Sequence, residues 1–227
     1  MTADPVQVPE QRLPLSRERV LRTAVAIADE HGIDAVTMRR VGDKLGAEAM
    51  SLYHHVANKS DLLDGAVDLV VAEINEAVDG LDRGDDWKAA VRARILTARR
   101  VLLRHRWAPR LLETRSAVSP NVVRYHDRLV GLLHEGGLSY DLIHHALHAL
   151  GSRALGFSQE LFDPGAGEST APVPADLAAD LPFLTAMLAE VAHDDPDSTI
   201  GWCDDRTEFE FGLDLLLDGL ERRRTGS

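Results

Sequence analysis

The chain has 227 residues, enough for one large domain or a small domain beside a medium one, and 44% of them are hydrophobic, enough for a real core. A single cysteine, Cys203, excludes a disulfide framework. The acidic start MTADPVQVPE lacks the basic-then-apolar order of a signal peptide, and no apolar run approaches the ~20 residues that span a bilayer, so a soluble, cytoplasmic protein is expected. The net charge of -12 is unevenly spread: residues 1–60 hold eight Lys/Arg against eight Asp/Glu, and residues 61–227 hold all the excess negatives. That argues against an RNA or histone-like binder coated in basic charge. It leaves room for a local positive footprint near the N-terminus.

Residues 1–15 carry three prolines and little pattern, and are expected to form a mobile arm. Ser16 can cap a helix over 17–31, with Val20, Ala24, Ile27 and Ala28 on one face and Gly32 ending it. Thr37 caps the next helix, Val41 and Leu45 share its inner face, and Gly46 stops it where a left-handed residue costs little. A very short helix follows, in which Leu52 and Val56 repeat the apolar spacing while Ala49, Met50, Ser51, His54 and His55 are left to face outward. A longer helix starts at Ser60-Asp61 and runs to about 79 on Leu63, Val67, Val70, Val71 and Ile74. Beyond a break at Gly80 to Asp86, helices are predicted near 87–104, 108–113, 121–136, 139–162, 176–193 and 204–223, with a Gly/Pro-rich loop at 163–174. There is no strand alternation and no internal repeat, so the chain reads as all-α.

Two short helices joined at a glycine, the second with a small outer face of mixed polarity, make a helix-turn-helix, a device for reading a DNA major groove. Four basic residues, Arg39, Arg40, Lys44 and Lys59, face two acidic ones within 36–60. The residues Thr37-x-Arg39, Val41, Leu45-Gly46, Ser51-Leu52-Tyr53-His54-His55-Val56 and Asn58-Lys59-x-x-Leu62-Leu63 agree in register with a known signature. This stretch resembles the tetracycline-repressor family of bacterial transcriptional regulators. A looser resemblance to the regulatory domain of the tetracycline repressor's own branch covers Trp87, Leu102 to Arg106, Thr114-Arg115, Gly137-Leu138-Ser139, Gly151, Gly156 and Phe211 to Glu221.

Beyond the flexible arm at 1–15, the resemblance implies a DNA-binding domain at 16–60 and a ligand-binding and dimerisation domain at 61–227. It makes the 60–79 helix the transmission element. It assigns phosphate contacts to Thr37, Arg39, Tyr53 and Lys59, with base edges read by Ala49, Met50, Ser51 and His54 and one of His54 and His55 meeting phosphate. The expected partner is a two-fold-symmetric DNA operator with half-sites ~34–36 Å apart. Helices 139–162 and 204–223 are apolar over more than one face. They are buried either in a large single-chain core or, as the resemblance implies, against a second subunit in a four-helix bundle.

Other residues carry a sharp and a bland reading side by side. His144 and His148 at i, i+4, with Asp141 one turn before His145, have the spacing of metal ligands, but nothing nearby completes a tetrahedral set, and histidines on an interface or pocket wall are commoner. Asp194 to Thr199 has Arg206 where a calcium loop needs its glutamate, which leaves a solvated turn. Trp107, Arg115, Asn121, Tyr125, His126 and Arg153 form an aromatic-plus-polar set suited to a ligand cavity, with His148 and Ser152 beside Arg153 on the 139–162 helix; each alone is compatible with ordinary packing. There is no nucleophile elbow, phosphate-cradling glycine loop or His-Glu-x-x-His, which weighs against the competing reading as an all-α enzyme. A ligand-independent DNA-binding protein is the nearer alternative, although DNA binding alone needs no such long, apolar, acidic body.

The resemblance also bears on the effector. In the tetracycline repressor a magnesium chelate is held partly by a histidine shortly before the Thr-Arg pair; placing Thr114-Arg115 on that pair puts Leu111 there. Glu160, four residues after Gly156, is a plausible acidic counterpart, but one carboxylate does not hold a hard cation. No cofactor or metal is called for, and the expected small-molecule effector, of unknown identity, is metal-independent.

Overall fold

The structure, a computed structural model, describes residues 14–81, 84, 86–114, 119–154, 182–183 and 205–226, with only the backbone of 151–154, 205 and 208. The helices are α1 (Arg17–His31), α2 (Met38–Leu45), α3 (Ala49–Leu52), α4 (Lys59–Asp79), α5 (Trp87–Arg104), α6 (Ala108–Thr114), α7 (Pro120–Glu135), α8 (Tyr140–Ala154) and α9 (Asp205–Thr225), with a 3₁₀ turn at Ile33–Ala35. No strand occurs among the described residues. Residues 1–13 of the expected arm, the end of the helix expected at 139–162, the 163–174 loop and most of the helix expected at 176–193 lie outside them.

The chain divides into two compact units: residues up to Glu76 with Arg100–Tyr125, and Ala77–Arg99 with the residues from His126 on. In the first, Ser16 Oγ accepts from Arg19 N at 3.3 Å and opens α1, whose Val20, Leu21, Ala24, Ile27 and Ala28 are buried. Thr37 Oγ1 accepts from Arg40 N at 3.1 Å and opens α2. Gly46 closes α2 at φ 65°, ψ 33°, a left-handed conformation that a side chain disfavours. Gly42 is needed for a different reason: a Cβ there would stand 2.7 Å from the backbone oxygen of Ala47, so the α2–α3 turn can approach only a glycine. The second short helix is regular for one turn and ends in a tighter turn, where His55 N and Val56 N both donate to Leu52 O. Val36, Val41, Leu52 and Val56 fill the space beneath it.

Two expectations shift by a residue or two. The long helix starts at Lys59 rather than Ser60-Asp61, because Asn58 Oδ1 accepts from Asp61 N at 2.9 Å and so takes the capping position. Its buried stripe begins at Leu62, with Leu63 half-buried, and continues through Ala66, Val67, Val70, Val71, Ile74 and Val78. Ser119 and Ser139 likewise cap α7 and α8 from outside, accepting from Val122 N and Leu142 N.

The second unit packs α8 on α9 through Ile143, Ala146, Leu150, Leu213 and Leu217. A row of charge joins α5 to α9 along the outside. Trp87 Nε1 donates to Glu221 at 3.2 Å, Lys88 pairs with Asp218, and Arg92 bridges Glu210 and Asp214 at 2.7 Å each. On α9 the apolar residues also run onto open surface: Phe211 is 60% and Leu215 54% exposed, one turn apart.

Candidate DNA interface and effector site

The outer face of the helix-turn-helix carries the groups expected there. Met50 is 72% exposed; Thr37, Arg39, Tyr53, His54 and Lys59 are exposed, and Ala49, Ser51 and His55 half-buried. Arg39 stands 3.9 Å from Asp43, a loose solvent pair that leaves its guanidinium able to turn to phosphate. The Thr37 oxygen accepts the capping bond, so its O–H proton remains to be donated outward. Lys44, on the same unit, is held by Glu30 at 3.0 Å. His55 departs from its neighbour: it sits half-buried and its carbonyl accepts from Arg17 Nη1 at 2.8 Å.

Arg17 also forks onto Asp61 at 2.7 and 3.1 Å, and Asp61 accepts from Ala57 N at 2.8 Å. The Arg17 hydrogen bond, followed by the one from Ala57, holds the Asp61 carboxyl below the usual range. This knot ties the first turn of α1 to the start of α4 behind the recognition turn.

A second tie is the corner between α5 and α6. His105 is buried, with Nδ1 2.8 Å from Asp29 Oδ1 on α1 and Nε2 3.2 Å from Glu73 Oε2 on α4. Carboxylate oxygens only accept, so both contacts are hydrogen bonds when the ring carries a proton on each nitrogen. Trp107 Nε1 donates to the same Asp29 oxygen at 2.7 Å, and Arg104 pairs with Glu73. Burial pushes the Glu73 carboxyl up, but the bonds from Arg104 and His105 outweigh it and leave it below the usual carboxylate range. Trp107, expected on a cavity wall, thus has its one polar atom committed to α1.

The seam between α4 and α7 holds two more of the expected ligand residues. Asn121 Nδ2 donates to Asp68 Oδ2 at 2.9 Å, while the Asn121 carbonyl accepts from Asn75 Nδ2 at 3.0 Å. The hydroxyl of Tyr125, one turn further along α7, is buried. Asp29, Glu73, Asp68 and Asn75 belong to no motif of the sequence, and His105 belongs only to the Leu102 to Arg106 run; the one local signal at Asp68 and Asn75 is polarity seven residues apart on α4.

His126 is half-buried and belongs to the other unit, where His148 is exposed on α8 with its ring centroid 4.8 Å from that of His144. His145 lies 4.0 Å from Asp141, and no group of three metal-binding side chains occurs among the described residues. Arg115 lies outside the described residues, as does Glu160, and only the backbone of Ser152 and Arg153 is described. Leu111 is half-buried on α6. A cavity of about 210 Å³ opens among the end of α4, α5 and α7, with Arg94 and Arg128 in its wall and none of the expected ligand residues.

Residues 20–66 match the family described as bacterial regulatory proteins, tetR family, and residues 80–224 match the tetracyclin repressor-like C-terminal domain. The HTH-type transcriptional repressor DrrR1 of Streptomyces coeruleorubidus is 30% identical over 91% of this chain and 77% of its own. The class C tetracycline repressor protein of Escherichia coli is 28% identical over 92% of each chain. The crystal structure of the Streptomyces coelicolor protein ActR in complex with actinorhodin superposes with a TM-score of 0.67 at 27% identity, covering 93% of this chain and 99% of that one. With the C-terminal match alone spanning more than half of its residues, this chain belongs to the tetR family of bacterial regulatory proteins.

Proposed function

We propose that the protein is a homodimeric transcriptional repressor released from a two-fold-symmetric operator by a small molecule. The observation that carries this reading is the helix-turn-helix itself, with Val41, Leu52 and Val56 sealed inside while Met50, Tyr53 and His54 face solvent. A fold that needed those side chains only for stability has no reason to present them. The DNA-reading head is residues 16–60. Thr37, Arg39, Tyr53 and Lys59 hold phosphate, and Ala49, Met50, Ser51 and His54 face base edges, with methyl-type contacts from Ala49 and Met50 suited to thymine. The acidic remainder repels phosphate and confines DNA to the head. The exposed Phe211 and Leu215 on α9 support pairing with a second copy, since such apolar surface is costly in water. Binding to the chromosome places its action in the cytoplasm.

Relatives support release by an effector: one solved neighbour holds actinorhodin, and others are named tetracycline repressors. Lowering operator affinity a thousandfold requires about 4 kcal/mol of differential effector affinity. The ties from α1 to α4 and to the α5–α6 corner are the contacts through which displacement of α4 or α6 reaches the head. The apolar Leu111 supports a metal-independent effector, and calorimetry with tetracycline and magnesium is expected to show no micromolar, chelator-sensitive binding.

The deciding experiment is a gel shift on DNA flanking the protein's own gene, with light scattering on the same sample. A specific shift and a molar mass near twice 24.9 kDa are expected. A monomer at micromolar concentration removes the symmetric operator, and no shift removes the regulator.

A further inference from the structure

Among the described residues, two side-chain acceptors on the α4 side of the α4–α7 seam are buried and unmatched. Asn75 is only 3% exposed, and its Nδ2 must face the Asn121 carbonyl, which turns its own Oδ1 the other way. That Oδ1 is buried and accepts nothing among the described residues. Asp68 repeats the arrangement: Oδ2 accepts from Asn121, while Oδ1 is buried without a donor. Among the described residues no cation pairs with Asp68. Asp68 and Asn75 lie two helical turns apart on α4, about 10 Å by helix geometry, with Val71 and Ala72 between them. The stripe therefore reads acceptor, apolar, acceptor. An unmatched buried acceptor is unfavourable, and an unmatched buried carboxylate oxygen more so.

We propose that this seam recognises an effector carrying a protonated amine for Asp68 and an N–H or O–H for Asn75 on an otherwise apolar body. The proposal rests on the reading of the protein as an effector-released repressor and names the class of effector. A charged donor is the natural complement of Asp68, because a hydrogen bond between ionised partners is about twice as strong as a neutral one. Asn121 fixes both acceptors in place, donating to one side chain and receiving from the other, so they are held before the ligand arrives. The same seam opposes an anionic effector, which would bring like charge against Asp68.

The test uses the full-length protein and three amines of increasing size, aminomethyl-naphthalene, aminomethyl-anthracene and aminomethyl-pyrene, each beside its N-acetyl derivative. Acetylation removes the charge and keeps the ring. In calorimetry at neutral pH at least one amine is expected to bind about tenfold or more tightly than its acetylated partner. Asp68→Asn keeps the acceptor for Asn121 and replaces the unmatched oxygen by an NH₂ group, so it should erase that preference without lowering the melting temperature. Equal binding of amine and amide throughout the panel, as for a seam filled by water alone, overturns the proposal. So does a preference that survives in Asp68→Asn. A gel shift on the same two proteins without probe separates the two readings: loss of operator binding in both removes the repressor, whereas an absent amine preference with operator binding intact removes only the effector class.

Discussion

The helix-turn-helix head and the helices behind it use polar groups in opposite ways. In the head the interior is purely apolar, from Val20 and Ile27 through Val41 to Leu52, and almost every charged or hydrogen-bonding side chain stands outside. Along α4 and the α5–α6 corner the polar groups turn inward: His105 between Asp29 and Glu73, Asn75 and Asp68 against Asn121. Outward groups are already solvated, so holding them ready for DNA costs little folding energy. Inward groups must satisfy one another, and those left unmatched mark where something else completes them. The head is thus a stable platform that presents chemistry, and the helices behind it a place where small changes in bonding shift geometry.

That contrast can be broken at its strongest point first. Leu52→Ala opens a cavity under the recognition turn and should cost about 2–5 kcal/mol, with loss of operator binding, in a denaturant melt and gel shift. A loss well under 1 kcal/mol means the head is not held by its apolar interior. His105→Phe is next: it leaves Asp29 and Glu73 each short of a partner, and about 1–3 kcal/mol of stability should go. His105→Gln keeps at most one of the two bonds and should fall between Phe and wild type; identical melts for all three proteins remove the tie from the account.

Tyr53→Ala concerns the outer face. Operator affinity should fall about tenfold, ~1.4 kcal/mol, with the melting temperature unchanged. A fall in both places Tyr53 in the packing rather than at the DNA. The smallest effect belongs to Asp61. Because its folded-state pKa is lowered, its contribution is present above the ordinary carboxylate value near ~3.9 and is lost as pH drops through the lower folded value. Asp61→Asn should therefore lose less than about 1 kcal/mol at neutral pH, since Arg17 is half exposed and salt screens the pair. The difference from wild type should close on acidification, and one that grows instead contradicts the assigned sign.

The sequence alone was enough for the elements among the described residues and for the packing of the helix-turn-helix. Ser16, Thr37 and Gly46 act at the termini where their local chemistry places them, and Val41, Leu52 and Val56 fall inside because helical periodicity is a local property of the chain. The outward set was readable for the same reason. Local rules missed only details there, such as Asn58 capping α4 in place of Ser60-Asp61, two capping side chains competing within one turn. The seam was readable only in part: Asn121, Tyr125 and Trp107 were legible as residues suited to a ligand cavity or to ordinary packing, but local rules do not tell that Asn121 meets Asp68 or that the Trp107 indole meets Asp29. The partners of Asn121 and Trp107 lie 46 to 78 positions away along the chain. No periodicity encodes which polar side chains meet at such separations. Packing of α1, α4 and the α5–α6 corner brought His105 to two carboxylates and left Asp68 and Asn75 each with a buried oxygen to be matched, because buried polar atoms acquire their meaning from what tertiary structure sets beside them.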